Sequence, residues 1–157
     1  MKKCVILDDY QDAALRMADW SVLAGSVDVV ALREHIEDED ALVAALADAE
    51  IVVIMRERTP FRARLLERLP ALRLLITSGM RNASIDVAAA KARGIVVCGT
   101  ASSSEPPTEL TWALILGLAR QVAVENAALR ADGPWQSTVG ADLHGRTLGL
   151  LGLGKIG

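Results

Sequence analysis

The residues at 152–157 place glycine at the first, third and sixth positions, Gly152, Gly154 and Gly157, directly after the apolar run Thr147–Leu151. A Gly-x-Gly-x-x-Gly turn leaving a strand is suited to gripping a pyrophosphate. Its first glycine permits the bend, its second lets the backbone approach the phosphates, and its third lets the next helix pack on the strand. That helix's N-terminus attracts the negative charge. A second candidate is Asp8–Asp9, which follows "CVIL" as the paired magnesium-holding acids of phosphorylation receivers do. A receiver also needs an aspartate ending the third strand and a lysine ending the fifth. Met55–Arg56 and Cys98–Gly99 stand there instead. The two aspartates are therefore expected to receive hydrogen bonds at a helix start. His35, in "REHIEDED", and His144, in "DLHGR", read as solvated side chains. Cys4 and Cys98 lack metal-ligand spacing and read as small buried hydrophobes in a reducing compartment.

Any such turn must be held by a scaffold, and the chain alternates short apolar runs with helix-period segments. "CVIL", "VDVVAL", "IVVIM", "LRLLI" and "GIVVC" predict five strands. Helical stretches are expected between them, over Ala13–Leu23, Asp40–Ala47, Arg62–Leu69 and Ile85–Ala92, the last stopped by Gly94. The alternation predicts an α/β, flavodoxin-like doubly wound parallel sheet with both faces covered, closing near residue 100. "TASSSEPPTE" then leads into a helix through Pro106–Pro107. Leu110–Arg130 reads as one long helix, apolar on nearly every side and so in need of cover from another domain or subunit. Gly133–Pro134 end it, Gln136–Gly145 reads as loop, and Thr147–Leu151 as the first strand of a second, incomplete domain.

Composition excludes several classes. The 157 residues are 52% hydrophobic and only 3% aromatic, which requires an aliphatic core. A net charge of −3 with mixed signs offers no basic stripe for nucleic acid. The longest apolar run, Leu110–Ala119, is too short to span a bilayer, and "MKKCVILDDY" lacks a signal-peptide core. A cytoplasmic protein is expected.

Three stretches, "LRLLITSGMRNASIDVAAAKARGIVVCGT", "TELTWALILGLAR" and "DLHGRTLGLLGLGKIG", occur in one order and spacing. Together they resemble the D-isomer-specific 2-hydroxyacid dehydrogenases, the family of phosphoglycerate and glyoxylate/hydroxypyruvate reductases. The likeness is strong over residues 50–157 and architectural over 1–49. It implies a substrate domain over residues 1–100 and the start of an NAD(P)-binding Rossmann domain over 101–157, linked by the long interdomain helix. By the same resemblance, the loop after the fourth strand, Ser78, Gly79, Met80 and Arg81, binds substrate. Gly79 and Met80 offer backbone N–H groups to its carboxylate, and Met80 also lies on the nicotinamide side. Arg56 matches an arginine that reaches acidic groups, sensibly so, since a guanidinium grips a carboxylate through two parallel hydrogen bonds. Pro107 matches a position packed near the cofactor, and Gly152, Gly154, Lys155, Ile156 and Gly157 match the pyrophosphate turn. Arg81 departs from the pattern, since many members carry a second glycine there. It either recognises an additional anionic group or points outward.

The resemblance places the proton-transferring histidine, its glutamate partner and a substrate arginine downstream of residue 157, so no catalytic residue is assigned in this chain. The expectation is the N-terminal part of an oxidoreductase moving hydride between NAD or NADP and a small 2-hydroxy or 2-oxo acid, inactive by itself. A homodimer through the Leu110–Arg130 region is expected, with no metal, nucleic acid or membrane. A non-catalytic flavodoxin-like module acting through association is the alternative.

Overall fold

β-Branched and leucine-rich runs pair as strands because each buries side chains on the pleated surface while its backbone bonds to neighbours. The computed structural model describes residues 1–154 and 156. Five strands form, β1 (Lys2–Ile6), β2 (Val27–Ala31), β3 (Ile51–Ile54), β4 (Leu74–Thr77) and β5 (Val96–Gly99). They make one sheet in the order β2-β1-β3-β4-β5, every pairing parallel. Val5 stands opposite Val52, Val52 opposite Leu75 and Leu75 opposite Val97, so one apolar row crosses the sheet. This is the doubly wound order, with the direction of winding reversing between β1 and β3. In open α/β sheets that crevice, at the carboxyl ends of the strands, is where ligands bind.

Burial is less even than a sheet covered on both faces implies. Cys4, Val5 and Ile6 of β1 are buried, but β3 and β4 alternate buried with half-buried residues. Edge strand β5 is largely exposed, and with it Cys98, which corrects the expectation that both cysteines are interior. A strand at the end of a sheet has a neighbour on one side only, so less of its surface is covered.

The helices follow the expected order with shorter bounds. Helix α1 (Glu39–Leu46) starts at Asp38, whose carboxylate accepts the Ala41 N–H at 2.8 Å, and buries Leu42 and Leu46. Helix α2 (Ala63–Glu67) buries Leu65 and Leu66. Helix α3 (Val87–Ala92) starts at Asp86, which accepts the Ala89 N–H at 2.9 Å, and Gly94 leaves it at φ +71°. Each aspartate cap is worth about 1 kcal/mol. Ala13–Leu23 does not become one helix. Asp12 takes a left-handed φ of +50°, and only turns and a short 3-10 segment, Trp20–Leu23, follow. The core gathers Val5, Leu46, Val52, Ile54, Phe61, Leu66, Leu69 and Leu75, each essentially sealed from water. Full burial of such a side chain contributes about 1.5–3 kcal/mol.

The chain divides into two compact units, Met1–Ser102 and the residues from Ser103 onward. In the second, the expected long helix is two: α4 (Glu105–Ala119) and α5 (Val122–Arg130), separated by Gln121 at φ +55°. The break is held from outside the helix. The Ala119 carbonyl accepts the Ala141 N–H at 2.7 Å, and Arg120 pairs with Asp142 at 3.0 Å. Gly140 permits the approach, since a Cβ there would lie 2.8 Å from the Ala119 oxygen. Neither helix buries a residue. Thr147–Leu151 forms no strand, because a strand exists only through a neighbour's hydrogen bonds and the described residues of this unit supply none.

Candidate functional site

The loops leaving β3, β4 and β5 meet at the carboxyl edge of the first unit. After β3 the chain turns sharply, the Arg58 N–H donating to the Met55 carbonyl at 3.2 Å, with Arg56 inside the turn at φ +52°. A left-handed arginine is uncommon, and such conformations gather where a site needs a side chain aimed. After β4 the ladder continues one step, Ser78 N–H to the Ile54 carbonyl at 3.0 Å, before Gly79 turns at φ +88°. The Arg56 guanidinium lies against Gly79: a Cβ on Gly79 would sit 2.5 Å from Nη1 and 2.6 Å from Cζ. Gly99, ending β5, lies under the same loop, its hypothetical Cβ 2.7 Å from the Gly79 oxygen and 2.8 Å from the Met80 Cα.

Asn82 locks this arrangement. Its Nδ2 donates to the Arg56 carbonyl at 2.6 Å and to Thr77 Oγ1 at 3.0 Å, while its Oδ1 accepts the Ser84 N–H at 2.8 Å and the Ser84 hydroxyl at 2.6 Å. Arg62 donates to the Ala83 carbonyl at 3.1 Å, and Phe61 bridges to Ile85. The loop is thus tied at both ends, with Gly79–Arg81 between the ties.

The structure brings Arg56, Ser78, Gly79, Met80 and Arg81 to two adjoining loops. Arg56, Met80 and Arg81 are exposed, and among the described residues neither arginine has an ion-pair partner. Ser78 Oγ donates to the Met55 sulfur at 3.0 Å. The two backbone donors differ: Gly79 N–H is engaged by Thr100 Oγ1 at 3.0 Å, whereas Met80 N–H has no hydrogen bond among the described residues. An open N–H beside an unpaired guanidinium is complementary to a carboxylate.

A second cluster was not legible as a site. Asp8, at φ +60° just past β1, has a carboxylate 1% exposed. Its Oδ1 lies 2.8 Å from His35 Nδ1 and 3.4 Å from the Tyr10 hydroxyl, and its Oδ2 accepts the Thr59 hydroxyl at 2.7 Å. Arg58 Nη1 donates to the Asp8 carbonyl at 2.9 Å and stacks 4.4 Å over the Tyr10 ring. His35 is exposed, as the charged run "REHIEDED" suggests, but its ring is bonded to Asp8 rather than free in solvent. Asp9 accepts the Ala13 and Ala14 N–H groups at 2.9 and 3.1 Å, but these begin a turn rather than the expected helix. The available signal was adjacency: β2 pairs with β1, so the residues just past both strand ends must meet.

In the second unit Pro107 is exposed in the first turn of α4. Gly152 turns at φ +82°, and the Gly154 N–H donates to the Gly152 carbonyl at 3.1 Å. A Cβ on Gly154 would meet nothing within 4 Å, which leaves the backbone approachable, as a pyrophosphate requires. Gly152 and Ile156 border a trough of about 300 Å³ lined also by Trp112, Ile115 and Leu148. Lys155 and Gly157 lie outside the described residues. Among the described residues no helix is long and apolar enough to cross a membrane.

Comparison with known proteins bears on all of this. Residues 4–140 match the family described as D-isomer specific 2-hydroxyacid dehydrogenase, catalytic domain. The D-3-phosphoglycerate dehydrogenase of Mycobacterium tuberculosis (strain ATCC 25618 / H37Rv) is 33% identical over 139 residues, 82% of this chain and 26% of that protein. The hydroxypyruvate reductase of Thermotoga maritima is 35% identical over 127 residues, 79% of this chain and 40% of that one. A phosphoglycerate oxidoreductase structure from Vibrio cholerae o395 superposes with a TM-score of 0.90 at 37% identity, covering 99% of this chain and 50% of that one. The apo D-lactate dehydrogenase of Escherichia coli, TM-score 0.80 at 20% identity, shares the fold. The chain thus spans half or less of the length of these relatives.

Proposed function

The chain belongs to the D-isomer-specific 2-hydroxyacid dehydrogenases, and from that premise we propose that it carries the acid-recognition part of an oxidoreductase interconverting a 2-hydroxy acid and a 2-oxo acid. Residues 1–100 form the substrate domain in this reading, and 101–157 begin the dinucleotide-binding domain.

The substrate carboxylate is held at the carboxyl edge of β3 and β4. Met80 N–H donates to one oxygen, and Arg56 neutralises the charge from above Gly79. Gly79 N–H joins when it exchanges Thr100 Oγ1 for the substrate. Ser78 shapes the floor, and Arg81 faces the rest of the acid. NAD or NADP would be held at Gly152, Gly154, Lys155, Ile156 and Gly157, with Pro107 of the same unit near it, and would supply the carbon that exchanges hydride with substrate C2. No proton-transferring residue is assigned to this chain. The observation that carries the reading is the Arg56 guanidinium lying against Gly79 beside an open Met80 N–H.

The exposed apolar residues of α4 and α5, Leu110, Trp112, Leu114, Leu116 and Leu118 among them, support a homodimer through the 110–130 region.

Oxalate, a stable mimic of the 2-oxo acid headgroup, tests the site. Titrated into the 15N-labelled 157-residue chain, it should shift the Gly79, Met80 and Arg56 amides in a saturable manner. Shifts elsewhere, or none, would reject the assignment.

A further inference from the structure

Arg56 sits in a turn whose conformation it does not choose: at φ +52° a non-glycine residue must be over-determined by its surroundings. Asn82 holds one side through the Arg56 carbonyl at 2.6 Å. The other side is held by the two residues that follow the turn, Arg58 and Thr59, and both reach Asp8. Arg58 takes the Asp8 carbonyl at 2.9 Å, and the Thr59 hydroxyl takes Asp8 Oδ2 at 2.7 Å. The remaining carboxylate oxygen belongs to His35, at 2.8 Å, on the loop after β2.

We propose that Asp8, with His35, is a positioning residue for the acid-binding site: it fixes the turn at 55–59 and thereby sets the Arg56 guanidinium over Gly79. The inference rests on the proposed substrate role of Arg56. Asp8 stands at the crevice between β1 and β3, so its loop and the Arg56 loop are neighbours through the sheet. A carboxylate 1% exposed is tolerable only because its oxygens are hydrogen-bonded. The contacts with His35 and Thr59, at 2.8 and 2.7 Å, are short and directional, which makes Asp8 a stiff anchor rather than a filler. His35 completes it: with Nδ1 on Asp8 Oδ1, the carboxylate plane is fixed and Oδ2 faces Thr59. Tyr10 adds a second clamp, bonded to Asp8 at 3.4 Å and stacked under the Arg58 guanidinium at 4.4 Å. No atom of this network need touch the substrate.

The test compares oxalate affinity of the labelled 157-residue chain with that of Asp8→Asn, Thr59→Val, Thr59→Ser and His35→Gln, each first checked for a dispersed spectrum and a cooperative thermal transition. Asp8→Asn keeps the shape but offers one acceptor oxygen where the carboxylate meets His35, Tyr10 and Thr59, and Thr59→Val leaves Oδ2 without its donor. Folded Asp8→Asn and Thr59→Val should bind oxalate about fivefold or more weakly, as expected for losing a charge-assisted bond that orders a loop. Thr59→Ser, which keeps the hydroxyl, should stay within about twofold of wild type. The Asn82 side-chain amide should shift in the weakened variants, because its acceptor on Arg56 moves. A purely structural Asp8 would lower the thermal midpoint and leave the affinity of the folded chain unchanged, and that result would overturn the proposal. Should Asp8→Asn and Thr59→Val fail to fold, His35→Gln decides, since its ring is one-third exposed: weakened binding supports positioning and unchanged binding rejects it. Wild-type chain that does not bind oxalate at all rejects the underlying site assignment, a result distinct from variants that bind as wild type does.

Discussion

Gly79 and Arg56 interlock: a methyl group at Gly79 would occupy the space of the Arg56 guanidinium, 2.5 Å from Nη1. The contact joins the loops after β3 and β4, and it explains why a glycine stands there even apart from its φ of +88°. Gly79→Ala should therefore cost about 1–2 kcal/mol in backbone strain and also displace the guanidinium. Thermal unfolding reads the first effect and oxalate titration the second. A variant that binds oxalate with wild-type affinity would show that the guanidinium's seat is irrelevant.

Gly99→Ala should be worse for the loop. Its added methyl meets backbone, the Gly79 oxygen at 2.7 Å and the Met80 Cα at 2.8 Å, rather than the tip of a flexible side chain. The amide resonances of Gly79–Asn82 should move together while those of α1 stay put.

Phe61 is fully sealed from water and bridges to Ile85, tying the Arg56 loop to the one that follows β4. Phe61→Ala should lose about 3–5 kcal/mol in chemical denaturation. Phe61→Leu, which keeps most of the volume, should lose clearly less.

The two thiols should differ sharply. Burial pushes the Cys4 thiol above its ordinary pKa, while Cys98 is exposed on the edge strand. With an aromatic disulfide reagent at neutral pH, one thiol should react in the native chain and the second only on unfolding. Cys98→Ser should abolish the fast phase.

Glu125 is held below the usual carboxylate range by hydrogen bonds from Thr138 and Ser137. A depressed folded pKa means the contribution is present above the unfolded value and is lost as pH falls through the lower folded one. The Ser137 and Thr138 amides, bonded to Glu125 at 2.9 and 2.6 Å, should shift only on acidification below the ordinary glutamate range, and Glu125→Gln should remove that titration.

Exposed leucines along α4 and α5 predict self-association. Sedimentation at tens of micromolar should show species larger than one chain, and Leu116→Arg with Leu118→Arg should shift them toward the monomer. A monomeric wild type would remove the support for the homodimer.

Strand identity and the parallel, doubly wound sheet were legible in the sequence, because short apolar runs separated by helices leave few alternatives. "CVIL", "IVVIM" and "LRLLI" became β1, β3 and β4 within a few residues, and Gly94 closed the helix before β5 as its place in the sequence suggested. What failed was whatever depends on contacts far along the chain. The long helix broke at Gln121 because the segment near Ala141 captured the Ala119 carbonyl. Thr147–Leu151 stayed unpaired because hydrophobicity alone cannot supply a neighbouring strand. Asp8 and His35, 27 positions apart, met only because β1 and β2 pair. Spacing encodes local hydrogen bonds and faces, while the direction in which Arg56 aims was decided by where four loops converge at one end of the sheet.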